Sequence, residues 1–409
     1  MWVRLLGTGA SDGWPDPWCS CASCRAAAGG GIVRGRSSAL VDDRLLLDLG
    51  PDTAAAALRQ GVSLSTVEAV LVTHAGQQDG PRLRGRRTVV APAGVPAPLD
   101  ETVTALEARP GDLVTVAGFA VRVLPAAGDA VAYDVTGADG TRLFWGPGTG
   151  PLPAEALALT DNRAYAAVLL DLATWPEQVA ELRRRGAVTP ATRLLAVHLG
   201  HQNPPPAELE RTLAGWGVTA PRDGVVLDLG DPPPPLPVGR RVLVLGGARS
   251  GKSAYAEQLV AAQPVVTYVA TAPPRPGDAE WAARVAAHRL RRPIAWATEE
   301  TGDVTAHLGS GTVLVDDLGL WLTRVLDEAY AWDGGAPDAV AKRCDELVEA
   351  WRECTGLAVL VAPEVGSGIV PATLSGRLFR DALGALTARL AAASDEVVQV
   401  VAGLPRRLR

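Results

Sequence analysis

Gly246-Gly-Ala-Arg-Ser-Gly-Lys-Ser253 separates Gly246 from Gly251 by four residues and follows the second glycine with Lys252 and Ser253. An apolar run of strand length, Arg241–Leu245, precedes it, and a helical pattern, Ser253–Ala262, follows. Such a turn lets backbone N–H groups of Gly246, Gly247, Ala248, Arg249, Ser250 and Gly251 converge on phosphate oxygens, and the helix N-terminus adds a favourable dipole. Lys252 is expected to reach the outer phosphates and Ser253 to hold Mg²⁺ through its hydroxyl. A chance glycine turn is the alternative; strand, spacing, Lys-Ser pair and helix together argue against it. A partner for Mg²⁺, an acid that orients its bound water, is expected at a later strand end. Thr312-Val-Leu-Val-Asp-Asp317 supplies Asp316, with Asp317 reading as a helix N-terminal acid. Elsewhere, Cys19, Cys21 and Cys24 are bunched, while Cys344 and Cys354 stand apart as packing residues. Bunched cysteines in a reducing compartment point to a metal more than to disulfides. Three reduced thiols without metal are the alternative.

The elements that must position these groups fall into two sets. Asp231-Pro-Pro-Pro-Pro-Leu-Pro-Val-Gly239 suits neither a helix nor a central strand and favours a stiff spacer. We therefore expect a domain at 1–230, a proline-rich linker at 231–239 and a domain at 240–409. After the linker, strand-length runs at Arg241–Leu245, Val265–Ala270, Thr312–Val315, Leu357–Val361 and Glu396–Val401 alternate with helical patterns at Ser253–Ala262, Asp278–Arg291, Gly319–Tyr330, Asp338–Cys354 and Leu374–Ala393. That alternation predicts an α/β domain with a mostly parallel sheet, whose ligands sit at the carboxyl ends of its strands. Before the linker, short strands dominate (Val3–Leu6, Ala39–Val41, Leu45–Asp48, Ala69–Thr73, Val114–Val116, Val121–Leu124, Ala130–Val135), which predicts a mixed or antiparallel sheet.

The whole chain has 409 residues, enough for two domains, and 47% hydrophobic and 21% charged residues, ordinary for a globular protein. Its net charge of −6 argues against a nucleic-acid partner. No run of ~18 uncharged apolar residues predicts a membrane span. The first residues, MWVRLLGTGASDG, read as a strand and a glycine turn rather than a signal peptide, so a cytoplasmic location is expected.

The octet Gly246–Ser253 resembles that of the bifunctional adenosylcobinamide kinase/guanylyltransferases of cobalamin assembly. The likeness continues through Tyr268-Val-Ala-Thr-Ala272, Asp278–His288, Trp296-Ala-Thr-Glu-Glu300, Glu364-Val-Gly-Ser-Gly-Ile-Val-Pro371 and Phe379-Arg-Asp381. It covers about residues 240–409 and implies a P-loop NTPase fold, a parallel sheet flanked by helices. The implied activity is phosphorylation of adenosylcobinamide with ATP or GTP, then transfer of GMP from GTP to the phosphate through a GMP–histidine intermediate. His288 stands at the histidine's position. Glu280, Arg284 and His288, spaced i, i+4, i+8, share one helix face, and a neutral imidazole is a competent nucleophile. A solvated histidine near a helix C-terminus is the bland alternative. Arg289, Leu290, Arg291 and Arg292 follow directly, and the arginines could neutralise a triphosphate. The resemblance also carries nucleotide contacts over to Ala270, Thr271, Ala272 and Glu300. Where the family pattern has asparagine, this chain has Arg324, Pro363 and Thr387, each losing an amide that both donates and accepts. Nucleotide binding is expected to survive these changes, with the corrinoid side or the kinase step weakened. Oligomeric relatives make a homotrimer the expectation by analogy.

Gly7-Thr-Gly-Ala-Ser11, Cys19-x-Cys21-x2-Cys24, Asp48-Leu-Gly-Pro-Asp52, Val72-Thr-His-Ala75 and Ala196-Val-His-Leu-Gly-His201 resemble the metallo-β-lactamase fold, in particular its cyclic phosphodiesterase branch. An αββα sandwich is implied for most of residues 1–230. The hydrolases use His-x-His-x-Asp-His after a strand; here His74 remains, but Gly76, Gln78 and Asp79 replace the other three, and Gly148 stands where the bridging aspartate belongs. A binuclear water-activating site needs several ligands at fixed distances. The resemblance therefore implies a domain without hydrolytic activity, with Asp79 and Asp129 leaving an altered one-metal site as the alternative. In the phosphodiesterase branch the cysteine triplet and a distant histidine bind a structural zinc; Cys19, Cys21, Cys24 and His201 match it.

The leading expectation is thus a transferase with a non-catalytic N-terminal scaffold. The alternatives are a GTP-binding module that regulates or assembles corrinoid enzymes, and a residual metal-dependent hydrolase in the first domain.

Overall fold

The computed structural model describes all residues except 76–82, 95–100, 234–238, 273–276, 278–282, 284–285, 287–288, 291 and 336. Contacts divide the chain into two compact units, Met1–Leu236 and Pro237–Arg409.

The first unit holds two seven-stranded sheets. One runs, in spatial order, Val226–Asp228, Trp2–Gly7, Ser38–Val41, Leu45–Leu47, Ala69–Leu71, Arg87–Ala91 and Val103–Glu107; its first four strands are antiparallel and the rest parallel. The other runs Val218–Thr219, Arg193–Ala196, Ala167–Leu170, Arg142–Gly146, Val131–Thr136, Phe119–Pro125 and Leu113–Val116, parallel through the first four and antiparallel after. Successive strand residues point to opposite faces, so both faces of each sheet need cover. Leu47, Leu71 and Val90 of one sheet share a core with Val123, Tyr133, Trp145 and Leu169 of the other. Their neighbours Leu46, Val70 and Val89 pack instead on Ala56 and Ala57 of the helix Thr53–Arg59. Behind the second sheet lie the helices Ala154–Ala158, against Phe119–Pro125, and Pro206–Gly215, against Val218–Thr219. The layers are therefore helix, sheet, sheet, helix.

The second unit is one seven-stranded sheet in the order Ala297–Glu300, Thr267–Ala270, Val313–Asp316, Leu357–Pro363, Arg240–Gly246, Glu396–Val401, Leu404–Arg407. Every pairing is parallel except the last, an antiparallel hairpin. The helix Lys252–Val260 covers one face through Ala256, Leu259 and Val260. Helices Leu318–Glu328, Pro337–Glu353 and Leu374–Ala393 cover the other, with Trp321, Trp351 and Leu386 at the centre of that core. The expected helix Asp278–Arg291 falls largely outside the described residues. Among the described residues no helix is long and apolar enough to cross a membrane.

Candidate phosphate and metal sites

The strand Arg240–Gly246 ends on the glycine that opens the phosphate loop, and the helix Lys252–Val260 starts just after Gly251. Two backbone positions make the loop possible. Gly251 has φ +93°, a conformation side chains rarely adopt. A Cβ on Gly246 would lie 2.8 Å from the Val400 carbonyl oxygen, so the neighbouring strand passes too close for any side chain. The loop is tied down by Gly403 N donating to Ser250 O at 2.8 Å and by Glu364 N donating to Gly246 O at 3.0 Å. Lys252 Nζ folds back on the loop and donates to Gly247 O at 3.4 Å. Among the described residues the buried Ser250 hydroxyl oxygen has no hydrogen-bond partner.

Parallel pairing brings the end of Val313–Asp316 beside this loop. Ser253 Oγ donates to Asp316 Oδ1 at 3.1 Å, and the Tyr268 hydroxyl donates to Asp316 Oδ2 at 2.6 Å. Asp317 does something else: its Oδ1 accepts from Leu320 N at 2.9 Å and caps the helix Leu318–Glu328. Burial, with Asp316 beside it, raises the Asp317 carboxyl above its ordinary value. The Asp316–Asp317 peptide is cis. Thr271 is buried and its hydroxyl donates to Asp317 O at 2.7 Å; Ala270 ends the Thr267–Ala270 strand and Ala272 follows half-buried.

Arg292 stacks on Tyr268 with its guanidinium carbon 3.3 Å from the ring centre. Burial and the Asp316 charge push the Tyr268 hydroxyl well above its ordinary pKa, so it stays a donor. Arg289 pairs with Glu300, both more than half exposed, which makes the pair weak in water. His288 and Arg291 lie outside the described residues, and Leu290 is exposed. Tyr268 is a member of this site that sequence reasoning placed only as part of a strand; its contact with Asp316 spans 48 positions.

Two of the three positions that depart from the family pattern meet in space. Pro363 and Thr387 line one cavity of 280 Å³ together with Leu245, Glu364 and Gly384. Thr387 Oγ1 donates back to Leu383 O at 2.9 Å within its own helix. Arg324 is elsewhere, with Nε 2.8 Å from Glu328 Oε1.

In the first unit, Cys19, Cys21, Cys24 and His201 bring their ligand atoms within 4.8 Å of one another. Cys21 precedes the helix Ala22–Gly29, and its Sγ accepts from Cys24 N at 3.4 Å, which seats both thiols on one helix end. His201 Nδ1 lies 3.3 Å from Cys19 Sγ. Burial raises the Cys24 thiol to about 11, whereas hydrogen bonding from the Cys24 backbone N–H lowers Cys21. Three sulfurs and one imidazole nitrogen in this compass form a potential metal site of closed, structural type.

The remains of the expected hydrolytic centre are differently furnished. Asp48 is fully buried and accepts from Thr73 N at 2.7 Å, Thr73 Oγ1 at 2.9 Å and Trp145 Nε1 at 2.7 Å. Thr73 Oγ1 also meets His74 Nδ1 at 2.8 Å. His198 fills the space next to Gly148: a Cβ there would lie 2.7 Å from His198 Cε1. Burial, with His74 nearby, lowers the His198 imidazole to about 4. Asp79 lies outside the described residues, and Asp129 is exposed.

Residues 242–408 match the family described as cobinamide kinase / cobinamide phosphate guanyltransferase. The bifunctional adenosylcobalamin biosynthesis protein CobU of Salmonella typhimurium is 38% identical over 181 residues, 41% of this chain and 99% of that protein. Protein CobP of Pseudomonas aeruginosa, with the same description, is 40% identical over 178 residues, 41% of this chain and 97% of that protein. The N-terminal half resembles metallo-β-lactamase-fold structures. Among them, zinc-bound PqqB from Methylobacterium extorquens has a TM-score of 0.45 and 20% identity, covering 56% of this chain and all of that one.

Proposed function

The chain belongs, through residues 242–408, to the cobinamide kinase / cobinamide phosphate guanyltransferase family, and we propose on that premise that it is a transferase of cobalamin biosynthesis performing both steps. It phosphorylates adenosylcobinamide with ATP or GTP and then transfers GMP from GTP to the phosphate. The observation that carries the reading is the Ser253–Asp316–Tyr268 chain of hydrogen bonds beside the phosphate loop. Backbone N–H groups of Gly246–Gly251 and the Lys252 ammonium hold the phosphates. Ser253 and Asp316 hold Mg²⁺, which when bound neutralises charge developing on the transferred group. Tyr268 fixes the orientation of Asp316. Arg289, Arg291 and Arg292 balance the triphosphate, with Ala270, Thr271, Ala272 and Glu300 completing the nucleotide's surroundings.

For guanylyl transfer, a nitrogen of His288 attacks the α-phosphorus of GTP, the bond to the β-phosphate oxygen breaks, and pyrophosphate leaves. The phosphate of adenosylcobinamide phosphate then displaces His288 and takes the GMP, splitting one transfer into two easier ones. In the first unit, Cys19, Cys21, Cys24 and His201 hold a structural zinc, and the domain is a scaffold without hydrolytic chemistry. The small-molecule substrates need no nucleic acid, and we place the protein in the cytoplasm as a homotrimer by analogy.

The test is incubation with α-labelled GTP. Covalent labelling of the full-length protein, lost in His288→Ala, supports the intermediate; an unlabelled protein, or undiminished labelling in the variant, sinks it. Nucleotide affinity without any turnover of adenosylcobinamide would favour the regulatory reading.

A further inference from the structure

We infer that the cavity beside the phosphate loop seats the hydroxyl-bearing arm of the phosphoryl acceptor, and that Glu364 is the base that takes the hydroxyl proton. This rests on the kinase reading above and adds to it the place of the acceptor and the catalytic carboxylate.

The cavity opens at the carboxyl ends of the two central strands. Register pairs Gly246 with Pro363, and Glu364 N donates to Gly246 O at 3.0 Å, so Glu364 stands directly alongside the start of the phosphate loop. The strand side supplies Leu245, Pro363 and Val365; the helix Leu374–Ala393 supplies Gly384 and Thr387. Among the described lining residues Glu364 is the one ionisable side chain, and it is an acid. A triphosphate is repelled by such a wall, whereas a neutral alcohol on an apolar arm fits it. Size narrows the occupant further. At 280 Å³ the space falls just short of the ~300–1,000 Å³ of pockets that enclose whole drug-sized ligands. It takes one arm of a large acceptor and leaves the macrocycle outside.

Glu364 is half-buried and held in place: Oε1 accepts from Gly366 N at 2.8 Å and from Ser367 Oγ at 3.5 Å. Both bonds engage the same oxygen, which leaves Oε2 for the hydroxyl. In the step, the acceptor oxygen bonds to the γ-phosphorus and the bond from that phosphorus to the β,γ-bridging oxygen breaks. The nucleoside diphosphate leaves with the electron pair, and the hydroxyl proton passes to Glu364.

Two variants of the full-length protein test this with adenosylcobinamide and GTP. Gly384→Leu places a side chain into the cavity from a helix position where a new Cβ meets nothing within 4 Å, so the fold tolerates it. We expect the acceptor KM to rise about tenfold or more while the affinity for GTP, read with a fluorescent analogue, stays unchanged. Glu364→Gln is expected to lower the kinase kcat about 10²-fold with little change in acceptor KM, with Glu364→Asp recovering part of the rate. An unchanged acceptor KM in Gly384→Leu overturns the seat, as does a loss of GTP affinity, which would make the cavity a nucleotide subsite. An unchanged kcat in Glu364→Gln overturns the base. If the unmodified protein binds GTP yet phosphorylates nothing, the kinase reading falls and takes this inference with it; normal variants in an active enzyme sink this inference alone.

Discussion

Ser253, in the first turn of the helix Lys252–Val260, and Asp316, at the carboxyl end of the strand Val313–Asp316, are 63 positions apart in the chain and meet through a 3.1 Å hydrogen bond. The pair offers a hydroxyl and a carboxylate, the oxygen ligands a hard dication such as the proposed Mg²⁺ would take. If the pair holds Mg²⁺ as proposed, replacing either partner would remove one oxygen ligand and leave the loop backbone in place. Ser253→Ala and Asp316→Asn are each expected to weaken Mg²⁺–GTP binding by ~10–100-fold, with little change in GTP binding when Mg²⁺ is absent. Nucleotide titration with and without Mg²⁺ checks this; an equal loss in both conditions would mean that the pair serves the loop's structure.

Tyr268→Phe isolates the next link. The 2.6 Å bond from the Tyr268 hydroxyl ends on a carboxylate oxygen, and such a bond to a charged group contributes ~1.5–3 kcal/mol. The phenyl ring would still carry Arg292, which stacks on its face. We therefore expect turnover to fall about tenfold or more while Mg²⁺-free GTP affinity persists. Single-turnover kinase rates beside nucleotide titrations separate the two effects.

These contacts also mark what was legible in the sequence. The phosphate loop was readable because its chemistry is contiguous: glycines, lysine, serine, strand and helix lie within one short stretch. Asp316 was readable because an acid ending an apolar run is a local signal, and the adjacent aspartate divides the labour by capping the helix. Tyr268 was not, since a tyrosine in a strand looks like core until the pairing of two parallel strands sets it opposite Leu314, from where its hydroxyl reaches Asp316 two residues on. The strands Ala167–Leu170 and Arg193–Ala196 were missed for a similar reason. They are buried on both faces, so their apolar runs do not alternate, and a short unbroken run does not separate strand from helix. Ala297–Glu300 is an exposed edge strand with no apolar pattern at all. The cavity that joins Pro363 to Thr387 needs the helix Leu374–Ala393 to fold back over the sheet, and no local pattern reports that.

Chelation tests whether Cys19, Cys21, Cys24 and His201 hold a metal, as proposed. A closed site of this type contributes folding free energy directly. A strong chelator, or Cys24→Ser, is expected to remove about one zinc per chain. A loss of ~3 kcal/mol would lower the thermal midpoint of this unit by about 6–12 °C. Elemental analysis with calorimetry reads both, and a protein that holds no zinc and ignores the chelator contradicts the assignment.

Gly148→Asp asks whether the aspartate that the metallo-β-lactamase resemblance expects at this position can be introduced. Position 148 has φ +66° and faces the His198 ring, with a Cβ 2.7 Å from Cε1. An aspartate must accept a strained backbone and displace a buried imidazole, at a cost of ~2 kcal/mol or more. The variant is expected to lower the unfolding midpoint and to hydrolyse no phosphodiester. A gain of metal-dependent hydrolysis would show the centre to be only one residue from activity.

The same imidazole gives the first unit an acid sensitivity. Burial first, and His74 second, lower His198 from its ordinary 6.5 to about 4, while Asp12 opposes them. Between those two values the unfolded chain binds a proton that the folded chain refuses, so acidification favours unfolding throughout the window. Above pH 6.5 both states are neutral at this position and the contribution vanishes; below about 4 it is complete, at ~3 kcal/mol. His198→Asn has no proton to take up in either state. Denaturant midpoints followed from pH 7 down to pH 4.5 should therefore fall more steeply for the parent protein than for the variant. Parallel curves would place the imidazole in a wetter environment than its contacts with Gly148 describe.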